Sequence, residues 1–354
     1  MKEKIITFTF IGYILTFSLL HIMIPDEIVS GTERRKLATI PKIELTNEYI
    51  TKLDKYLTDH FPYRNTFRSI KANFNYNILN KLDNNDIYLK DNYIFKSNYP
   101  TNKTSINNFI TKTNKLISNL SKDNKIYLSI IPDKNYYLKD KNFLQIDYDY
   151  IYQELHSLNL KEIDLRITLT INDYYQTDTH WKQQNLDKVI KKLSEELDFN
   201  YQKFSYTKNT INNFYGVYYG ESAINREPEP LTYLTNYIIN NASVKYLENN
   251  NLTTVYNKDK LTSLDPYEVY LDGASSFIEI TNNNTKRDKE LIIIRDSFAS
   301  SITPLLIPYY KKITLIDNRY ITSEYFTNLI EFTNQDVILM YSTLIINNSS
   351  SLKG

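Results

Sequence analysis

The segment Leu291-Ile292-Ile293-Ile294-Arg295-Asp296-Ser297-Phe298-Ala299 is the clearest guide to the architecture of this chain. Its β-branched apolar run predicts a strand that is buried on both faces, and a helix is predicted directly after it, over 299–310. Two further apolar runs, at 312–317 and 336–340, predict strands, and a helix over 323–331 separates them. Strands that alternate with helices favour an α/β fold in which helices cover both faces of a parallel sheet.

The chain upstream of this segment continues the pattern, with one long exception. The exception is the stretch 200–285, whose scattered glycines and prolines predict mainly irregular structure. The other predicted elements are a hairpin at 86–95, helices at 105–120 and 185–197, a buried strand at Lys125–Ile131, and weak strands at 237–246 and 267–271.

Composition excludes several classes of site. The chain has 354 residues, of which 42% are hydrophobic, and a formal net charge of +1, so we expect a large core and no nucleic acid partner. It has no cysteine, which removes disulfides, thiolate metal sites and cysteine nucleophiles together. The four histidines show no metal-ligand spacing, and the glycine motifs of nucleotide sites are absent. We therefore expect neither a metal nor a cofactor.

The N-terminal segment predicts a membrane anchor. Residues 5–24 carry no formal charge apart from the imidazole of His21, and as a helix they would span about 30 Å, the thickness of a bilayer core. Lys2 and Lys4 precede the segment and acidic residues follow it, which favours an N-terminus inside the cell. Because no small-residue cleavage site follows, we expect an uncleaved single-pass anchor in the cell membrane, with the bulk of the chain outside the cytoplasm.

The chain beyond this anchor is predicted to have two parts. Residues 25–84 form a stem with amphipathic helices, and residues 85–354 form the α/β domain. The stem helices are predicted at Asn47–Asp59 and 63–82. Phe61-Pro62 divides them, because a proline at this point starts a helix rather than continuing one.

Chemistry is most clearly indicated by the octet Tyr174-Tyr175-Gln176-Thr177-Asp178-Thr179-His180-Trp181, which holds one of the four histidines and the only tryptophan. Asp178 precedes His180 by two positions, so on an extended chain both side chains would leave the same face. This arrangement suits a general base, His180, whose tautomer the carboxylate holds. A purely structural contact between the two side chains is the alternative.

Ser297 is the candidate nucleophile, because it lies at the carboxyl end of a predicted strand where a helix begins. Ligands bind at this edge of parallel sheets, and the N–H groups and dipole of the helix favour a developing oxyanion. The alternative is that Ser297 or Asp296 merely caps the helix. The surrounding residues do not follow Gly-x-Ser-x-Gly, so we do not expect a nucleophile elbow of the α/β-hydrolase type.

Several short motifs along the chain together resemble one known family. Besides the octet they are Thr32-Glu33-Arg34-Arg35-Lys36-Leu37, Asp59-His60-Phe61-Pro62-Tyr63-Arg64, Ile131-Pro132-Asp133-Lys134, Asp296-Ser297-Phe298 and Asp317-Asn318-Arg319-Tyr320. In order and spacing they resemble the DHHW protein family and, more distantly, the alginate O-acetylation proteins of the SGNH hydrolase-like superfamily. Thr179 departs from the DHHW pattern, which has histidine at this position, whereas the alginate-type proteins also carry threonine.

The resemblance implies an SGNH-hydrolase-like sheet and a Ser-His-Asp triad of Ser297, His180 and Asp178. It further implies an O-acetyltransferase or O-acetylesterase that acts on cell-surface polysaccharide, with a membrane-bound protein as the acyl donor. One alternative is a non-catalytic glycan-binding or assembly protein of the cell envelope that keeps a degenerate SGNH fold. Another is a structural envelope protein in which the helices of residues 47–82 form an arm that docks a partner.

Four further residues are candidates for binding. The oxyanion donors are expected to be the Ser297 backbone N–H and a residue near Gly216, although this glycine would equally serve a turn. Arg319 and Lys134 are candidates for holding a substrate anion or for bracing the site, and a surface ion pair is the alternative. Tyr175 is a candidate for stacking on sugar rings, and ordinary packing is its alternative.

Overall fold

An eight-stranded sheet lies at the centre of the larger of the two units into which the chain divides. The computed structural model describes residues 2–120, 124–140, 142–197 and 199–353. The N-terminal unit comprises residues 1–87 and 219–227, and the sheet unit comprises residues 88–218 and 228–354. The domain boundary that the sequence predicts between residues 84 and 85 stays a prediction.

The N-terminal unit is mainly helical. Its elements are α1 (Lys2–Met23), β1 (Val29–Ser30), β2 (Arg35–Lys36), α2 (Asn47–Asp59), α3 (Arg64–Asn73) and β3 (Asp83–Asn84). A π-helical turn, Phe74–Ile78, continues α3. The predicted helix Asn47–Asp59 is confirmed. The helix predicted at 63–82 is shorter: it begins at Arg64, because Tyr63 has a left-handed backbone with φ of 57°, and as an α-helix it ends at Asn73. Within the described part of the chain, α1 is the one helix that is long and apolar enough to cross a bilayer.

An ion-pair cluster joins the segment 32–37 to α2 and α3. The guanidinium of Arg35 donates to both carboxylate oxygens of Asp59, at 2.5 and 2.9 Å, and Arg64 donates to the carboxylate of Glu33. Hydrogen bonding to Arg35 is the main cause that lowers the pKa of Asp59 to about 2. Two of the motifs quoted above, 32–37 and 59–64, thus meet in this cluster.

The strands of the chain after residue 86 are β4 (Ile87–Lys90), β5 (Tyr93–Lys96), β6 (Lys125–Ile131), β7 (Lys161–Asp164), β8 (Thr207–Phe214), β9 (Glu229–Thr235), β10 (Ser243–Tyr246), β11 (Asn249–Thr253), β12 (Phe277–Thr281), β13 (Glu290–Arg295), β14 (Lys312–Ile316) and β15 (Asp336–Ser342). The helices are α4 (Lys103–Ser118), α5 (Tyr148–Leu155), α6 (Asp187–Ser194), α7 (Val217–Ser222), α8 (Tyr237–Asn240), α9 (Ala299–Leu306), α10 (Ser323–Phe326) and α11 (Thr343–Asn347).

The central sheet is mixed, with strand order β11-β10-β12-β14-β13-β15-β6-β7. The five strands from β14 to β7 are parallel to one another, and β12, β10 and β11 extend the sheet in antiparallel fashion. The predicted α/β fold with a sheet flanked by helices is confirmed. The parallel sheet that the sequence predicts forms the larger part of it, and β10, β11 and β12, from the stretch that we expected to be irregular, add three antiparallel strands.

Alternate residues of β13 show why the apolar runs are continuous. Leu291 and Ile293 lie in one hydrophobic core, whereas Ile292 and Ile294 lie in a second core on the other face. A strand sends successive side chains to opposite faces, so a sheet with a core on each side needs apolar residues at every position.

The stretch 200–285 is more ordered than its composition predicts. The antiparallel pair β8–β9 and strand β12 lie within it. The strand predicted at 237–246 divides into α8 and β10, because the Asn236 side chain accepts from the Ile239 N–H and caps a helix. The strand predicted at 267–271 is wrong: Pro266 begins a 3₁₀ turn, Pro266–Val269.

Three helices of the sheet unit are found where they were expected but are shorter, whereas the helix predicted at 105–120 is α4 and keeps its predicted length. The helix predicted at 185–197 is α6, the one at 299–310 is α9, and the one at 323–331 is α10. After α9 the chain tightens into a 3₁₀ turn, Ile307–Tyr309, because Pro308 has no N–H with which to continue an α-helix.

Candidate active site

The octet 174–181 forms a closed loop rather than an extended strand. Tyr174 and Trp181 pair as an antiparallel bridge, and the Tyr175 N–H donates to the His180 carbonyl at 3.0 Å. The Tyr174 hydroxyl donates to the carbonyl of Pro132, directly after β6. The loop is therefore fixed at the carboxyl edge of the sheet, where the carboxyl ends of the other parallel strands also lie.

Asp178 and His180 meet at the tip of this loop. The Nδ1 atom of His180 lies 2.6 Å from Oδ1 of Asp178, and the His180 backbone N–H donates to the same oxygen at 2.9 Å. A turn, and not the two-residue alternation of a strand, therefore brings the side chains together, which corrects the geometry expected from the sequence. The Val217 N–H donates to the other oxygen, Oδ2, at 2.9 Å, so both carboxylate oxygens of Asp178 are held.

The environment of Asp178 keeps its carboxyl group ionised. Its side chain is buried, which alone would raise the pKa. The charge of His180 and the hydrogen bonds from His180 and Val217 outweigh burial, so the pKa of Asp178 lies well below its ordinary range. The carboxylate is thus available to orient an imidazole and to stabilise an imidazolium.

Ser297 follows β13 and precedes α9. The carboxylate of Asp296 accepts from the N–H groups of Phe298 and Ser342, at 3.0 and 2.8 Å, and so fixes the turn that presents Ser297. The Oγ atom of Ser297 lies 2.8 Å from Nε2 of His180. Asp296 thus makes the hydrogen bonds that hold this turn, while the Ser297 hydroxyl is directed at the imidazole.

The structure therefore brings Asp178, His180 and Ser297 into one line of hydrogen bonds. With the Nδ1–H of His180 donating to Asp178, Nε2 is the acceptor for the Ser297 hydroxyl proton. A hydroxyl, a base and a buried carboxylate in this order are the parts that nucleophilic acyl chemistry needs.

The imidazole of His180 is also held by aromatic rings that the sequence did not single out. The ring of Tyr267 stacks on it with 3.9 Å between centroids and 9° between planes, and Phe298 lies 5.0 Å away. The Tyr267 hydroxyl in turn donates to Ser301 at 2.9 Å. No local sequence signal marks Tyr267, because its contact with His180 arises only when the 3₁₀ turn packs on the octet.

Trp181 is a structural residue of the site. Its indole N–H lies within hydrogen-bond distance of the Phe298 carbonyl at 3.0 Å and the Ser301 hydroxyl at 2.9 Å. The side chain is fully buried. Trp181 therefore ties the loop of His180 to the beginning of α9, and this fixes the distance between base and nucleophile.

Lys134 holds the loop through its backbone carbonyl groups. Its ammonium group donates to the carbonyl oxygens of Tyr175, Gln176 and Asp178, at 3.2, 3.1 and 2.7 Å. Burial lowers the pKa of Lys134 to about 7, although the nearby carboxylates of Asp178 and Glu229 act in the opposite direction. Of the predicted alternatives, the geometry fits the brace, because the ammonium group is buried and donates to three backbone carbonyl oxygens of the loop.

Glu229 holds the same loop and was missed by sequence reasoning. Its carboxylate accepts from the N–H groups of Gln176 and Thr177, at 2.9 and 2.7 Å, and from the Thr177 hydroxyl at 2.6 Å. It lies at the start of β9, in the stretch that was predicted to be irregular. An acidic residue between two prolines gave no indication of this role.

Gly216 packs against the backbone of the loop, at Thr177 and Asp178. A Cβ atom at this position would lie 2.3 Å from the backbone N of Asp178, and the Gly216 N–H already donates to the Thr177 hydroxyl at 2.9 Å. The backbone is not in the left-handed region, so the glycine is not required by a turn. Close approach of two backbones is thus a reason for a glycine here, and a role of this segment at a ligand stays a prediction.

The two remaining binding candidates also have protein partners. Tyr175 is fully buried and its ring lies 5.0 Å from that of Phe214, so stacking on a sugar ring is excluded for it. The guanidinium of Arg319 donates to both carboxylate oxygens of Asp317, at 2.9 and 2.6 Å, directly after β14. Arg319 thus forms an ion pair at the same edge of the sheet as Ser297.

A cleft of about 770 Å³ adjoins the octet. Thr179, between Asp178 and His180 in the loop, lines it. The other lining side chains are mostly polar or aromatic and include Lys96, Asn98, Tyr99, Lys103, Tyr218 and Asn347. Its volume is within the range of small-molecule sites. Among the residues that the structure describes, no three His, Asp or Glu side chains are grouped so as to hold a metal ion.

Comparison with known proteins gives similarity of structure. No protein-family model and no curated protein matches the sequence. A solved DHHW family protein from Eubacterium siraeum matches with a TM-score of 0.64 and 16% sequence identity, over 77% of this chain and 97% of that one. Bacillus cereus PatB1 matches with a TM-score of 0.58 and 19% identity, over 74% of this chain and 97% of that one.

PatB1 has also been solved with a sulfonyl adduct, and that structure matches with a TM-score of 0.58 and 17% identity, over 76% of this chain and 96% of that one. Identities this low are evidence about the fold alone. The chain therefore shares the α/β fold of the DHHW family protein and of PatB1, and the resemblance predicted from its motifs is confirmed at the level of the fold.

Proposed function

We propose that this chain is a membrane-anchored, extracytoplasmic acyl-ester enzyme that transfers or hydrolyses O-acetyl groups of cell-surface polysaccharide. The observation that carries the proposal is the line of hydrogen bonds from Asp178 through His180 to Ser297 at the carboxyl edge of the sheet. The roles are nucleophile for Ser297, general base and then acid for His180, and orienting carboxylate for Asp178.

The first half of the reaction forms an acyl-enzyme. Nε2 of His180 takes the hydroxyl proton of Ser297 while Oγ bonds to the ester carbonyl carbon, and the imidazolium that results is stabilised by Asp178. Collapse of the tetrahedral intermediate breaks the bond to the leaving oxygen, and His180 donates to that oxygen the proton it took from Ser297. The acetyl group then remains on Ser297 as an ester.

The second half returns the enzyme to its starting state. An acceptor hydroxyl loses its proton to Nε2 of His180 and attacks the acetyl carbonyl, and Ser297 leaves with that proton. Water as the acceptor gives an esterase, and a sugar hydroxyl gives an acetyltransferase. The negative oxygen of each intermediate would lie near the Ser297 backbone N–H, in front of α9, where the helix dipole favours it.

The cleft beside Thr179 is the proposed place for the sugar. Polar and aromatic side chains line it, as a carbohydrate site requires, and one of the lining residues is Thr179, which lies between Asp178 and His180 in the chain. Since Gly216, Lys134 and Tyr175 make protein contacts instead, substrate recognition is assigned to this cleft.

The anchor supports the proposed location. Helix α1 is long enough and apolar enough to span a bilayer, and Lys2 and Lys4 precede its apolar part. A transferase held outside the membrane needs an acyl donor there, and a membrane-bound protein that presents acetyl groups would be its partner.

An acetyl-ester assay tests the proposal. The full chain in detergent should hydrolyse an aryl acetate, and Ser297→Ala should remove this activity while keeping the thermal unfolding temperature. Ser350→Ala is the matched control, because Ser350 is an exposed serine and should be silent. A wild-type chain with no esterase activity that still binds polysaccharide would favour the non-catalytic alternative. Activity that survives in Ser297→Ala would refute the assignment of the nucleophile.

A further inference from the structure

Helix α3 exposes its apolar face. Phe67, Ile70 and Phe74 follow one another at spacings of three and four residues, which places them on one side of the helix. They are exposed by 40%, 58% and 47%, respectively. Tyr63 before them and Ile78 after them are also exposed. We refer to Phe67, Ile70 and Phe74 as the apolar stripe.

The opposite face of α3, which is packed against protein, is small and polar. Ala72 is completely buried, although it lies only two residues after Ile70. Arg64 and Arg68 pair with Glu33, the latter with 3.4 Å between Nη2 and Oε1, and Arg68 also donates to the Gly220 carbonyl at 2.9 Å. A helix on a water-soluble surface has the reverse polarity, with apolar residues inside and charges outside.

The apolar stripe is continuous with the surface of α1. The ring of Phe17 lies 5.8 Å from that of Phe67 and stacks on that of Phe61 at 5.3 Å, and Phe61 and Phe67 are 5.7 Å apart. Phe17 precedes the end of α1 at Met23 by six residues, or about 9 Å along the helix axis. The stripe therefore begins at the level of the last turns of α1.

We infer that the apolar stripe of α3 is inserted into the boundary between headgroups and acyl chains of the membrane that α1 spans. This inference rests on the proposed anchoring of α1. Amphipathic helices of this kind bury their apolar face by about 5–10 Å at that boundary, which agrees with the depth at which Phe17 meets Phe67. Aromatic side chains are enriched at the same level in membrane proteins.

Lipid is favoured over a protein as the occupant of this face. The stripe adjoins α1 through Phe17, so a group that covers Phe67 must itself lie beside a membrane-spanning helix. Lipid already surrounds that helix and needs no further partner. The N-terminal unit would then be held to the membrane by two elements, the helix that crosses it and a second helix that lies on it.

Fluorescence in vesicles tests the insertion. The full chain is reconstituted into phosphatidylcholine vesicles that contain lipid brominated in its acyl chains, which quenches only tryptophans in contact with it. Ile70→Trp and Phe67→Trp place a reporter in the stripe, and Ile167→Trp, an isoleucine in the sheet unit that is 90% exposed, is the matched control. The only native tryptophan, Trp181, is buried and gives a constant background that the unsubstituted chain measures.

The inference predicts severalfold more quenching of the two stripe tryptophans than of the control. Equal and weak quenching at all three positions would overturn it. If an aqueous quencher also fails to reach the tryptophan of Ile70→Trp in that case, a second copy or another protein covers the stripe, and the inference is again overturned. Extraction of the vesicles at alkaline pH separates this result from a failure of the anchor. If the chain is extracted, the proposed anchoring by α1 is wrong. If the chain is retained but its stripe tryptophans are not quenched, the anchoring stands and only the insertion of α3 is refuted.

Discussion

Residues 174–181 of the sheet unit and residues 63–74 of the N-terminal unit are both rich in aromatic side chains, but the two regions use them in opposite ways. In the first, the aromatic rings, such as that of Trp181, are buried, and the side chains that are partly exposed, such as that of His180, are polar. In the second, the aromatic ring of Phe67 is exposed, and charged groups lie on the packed side.

This difference distinguishes a buried site that is suited to a chemical reaction from an exposed surface that is suited to contact with an apolar medium. Aromatic walls lower the local dielectric around Asp178 and His180, so that each electrostatic interaction there is stronger than in water. The exposed apolar stripe has no such effect, and it lowers the free energy of the system only when an apolar group covers it.

The largest effect is expected from breaking the chemistry of the first region. His180→Ala and Asp178→Asn should each lower kcat for acetyl-ester hydrolysis by about 10⁴-fold, because the first removes the base and the second removes the acceptor that holds its tautomer. Thr179→Ala, between them in the loop, is the control and should alter KM more than kcat. Initial rates on an aryl acetate decide this, and loss of less than tenfold in both variants would contradict the proposed triad.

The next effect is expected from displacing the loop without changing its polar groups. Gly216→Ala places a Cβ atom 2.3 Å from the Asp178 backbone, so the carboxylate must move, and a small misplacement of catalytic groups costs about 10²-fold in kcat. Gly12→Ala is matched to it, since nothing lies within 4 Å of that position. Wild-type kcat in Gly216→Ala would show that the packing of this loop does not position the triad.

A smaller effect, on stability, is expected from the brace of the loop. Lys134→Met leaves three buried carbonyl oxygens without their donor and should lower the free energy of unfolding by about 3 kcal/mol. Lys203→Met removes an exposed lysine of the same unit and should leave stability unchanged. Denaturant unfolding followed through Trp181 measures both. If the two variants were equally stable, the three contacts of Lys134 would contribute nothing.

Acid should reveal the charge of Asp178. A carboxyl group whose pKa is lower in the folded chain stabilises the fold above the unfolded-state pKa of about 3.9, and this contribution is lost as the pH falls towards the folded-state pKa. Wild type should therefore lose more stability below about pH 4 than Asp178→Asn, whose amide does not titrate. Parallel curves for the two chains would mean that Asp178 is not held as an ionised group.

The smallest effect is expected in the second region. Phe67→Ser and Phe74→Ser remove exposed apolar side chains, so in detergent each should change the free energy of unfolding by no more than about 0.5 kcal/mol and leave esterase activity unchanged. Phe109→Ser, at a buried position of the sheet unit, is the contrast and should be strongly destabilising. A loss of several kcal/mol in Phe67→Ser would show that the stripe belongs to a core.

Four of the five parallel strands were predictable because they are largely apolar runs. Strands β6, β13, β14 and β15 are recognised in this way, since a core on each face leaves few polar positions, whereas β7, with the sequence Lys161-Glu162-Ile163-Asp164, was not predicted. Strand β12, which alternates Ile278-Glu279-Ile280, and the pair β8–β9 are partly exposed, so their composition resembles that of loops.

The three residues proposed to act in catalysis were named from the sequence, but Tyr267 and Glu229, which help to position them, were not. Tyr267 and Glu229 reach the loop of His180 through contacts between distant parts of the chain, which no local pattern encodes. A ligand contact stayed open for Tyr175 and Lys134, beside packing for the first and bracing for the second, because the sequence does not show that both are buried.

Covalent labelling tests the central claim most directly. The full chain in detergent is treated with an arylsulfonyl fluoride, a choice suggested by the sulfonyl adduct of PatB1, and the modified peptide is mapped. We predict that the label is on Ser297, that it is absent from Ser297→Ala and His180→Ala, and that it is retained in Ser205→Ala, an exposed serine without a base. A wild-type chain that is not labelled at Ser297, or labelling of Ser297 that is as fast in His180→Ala, would contradict the account.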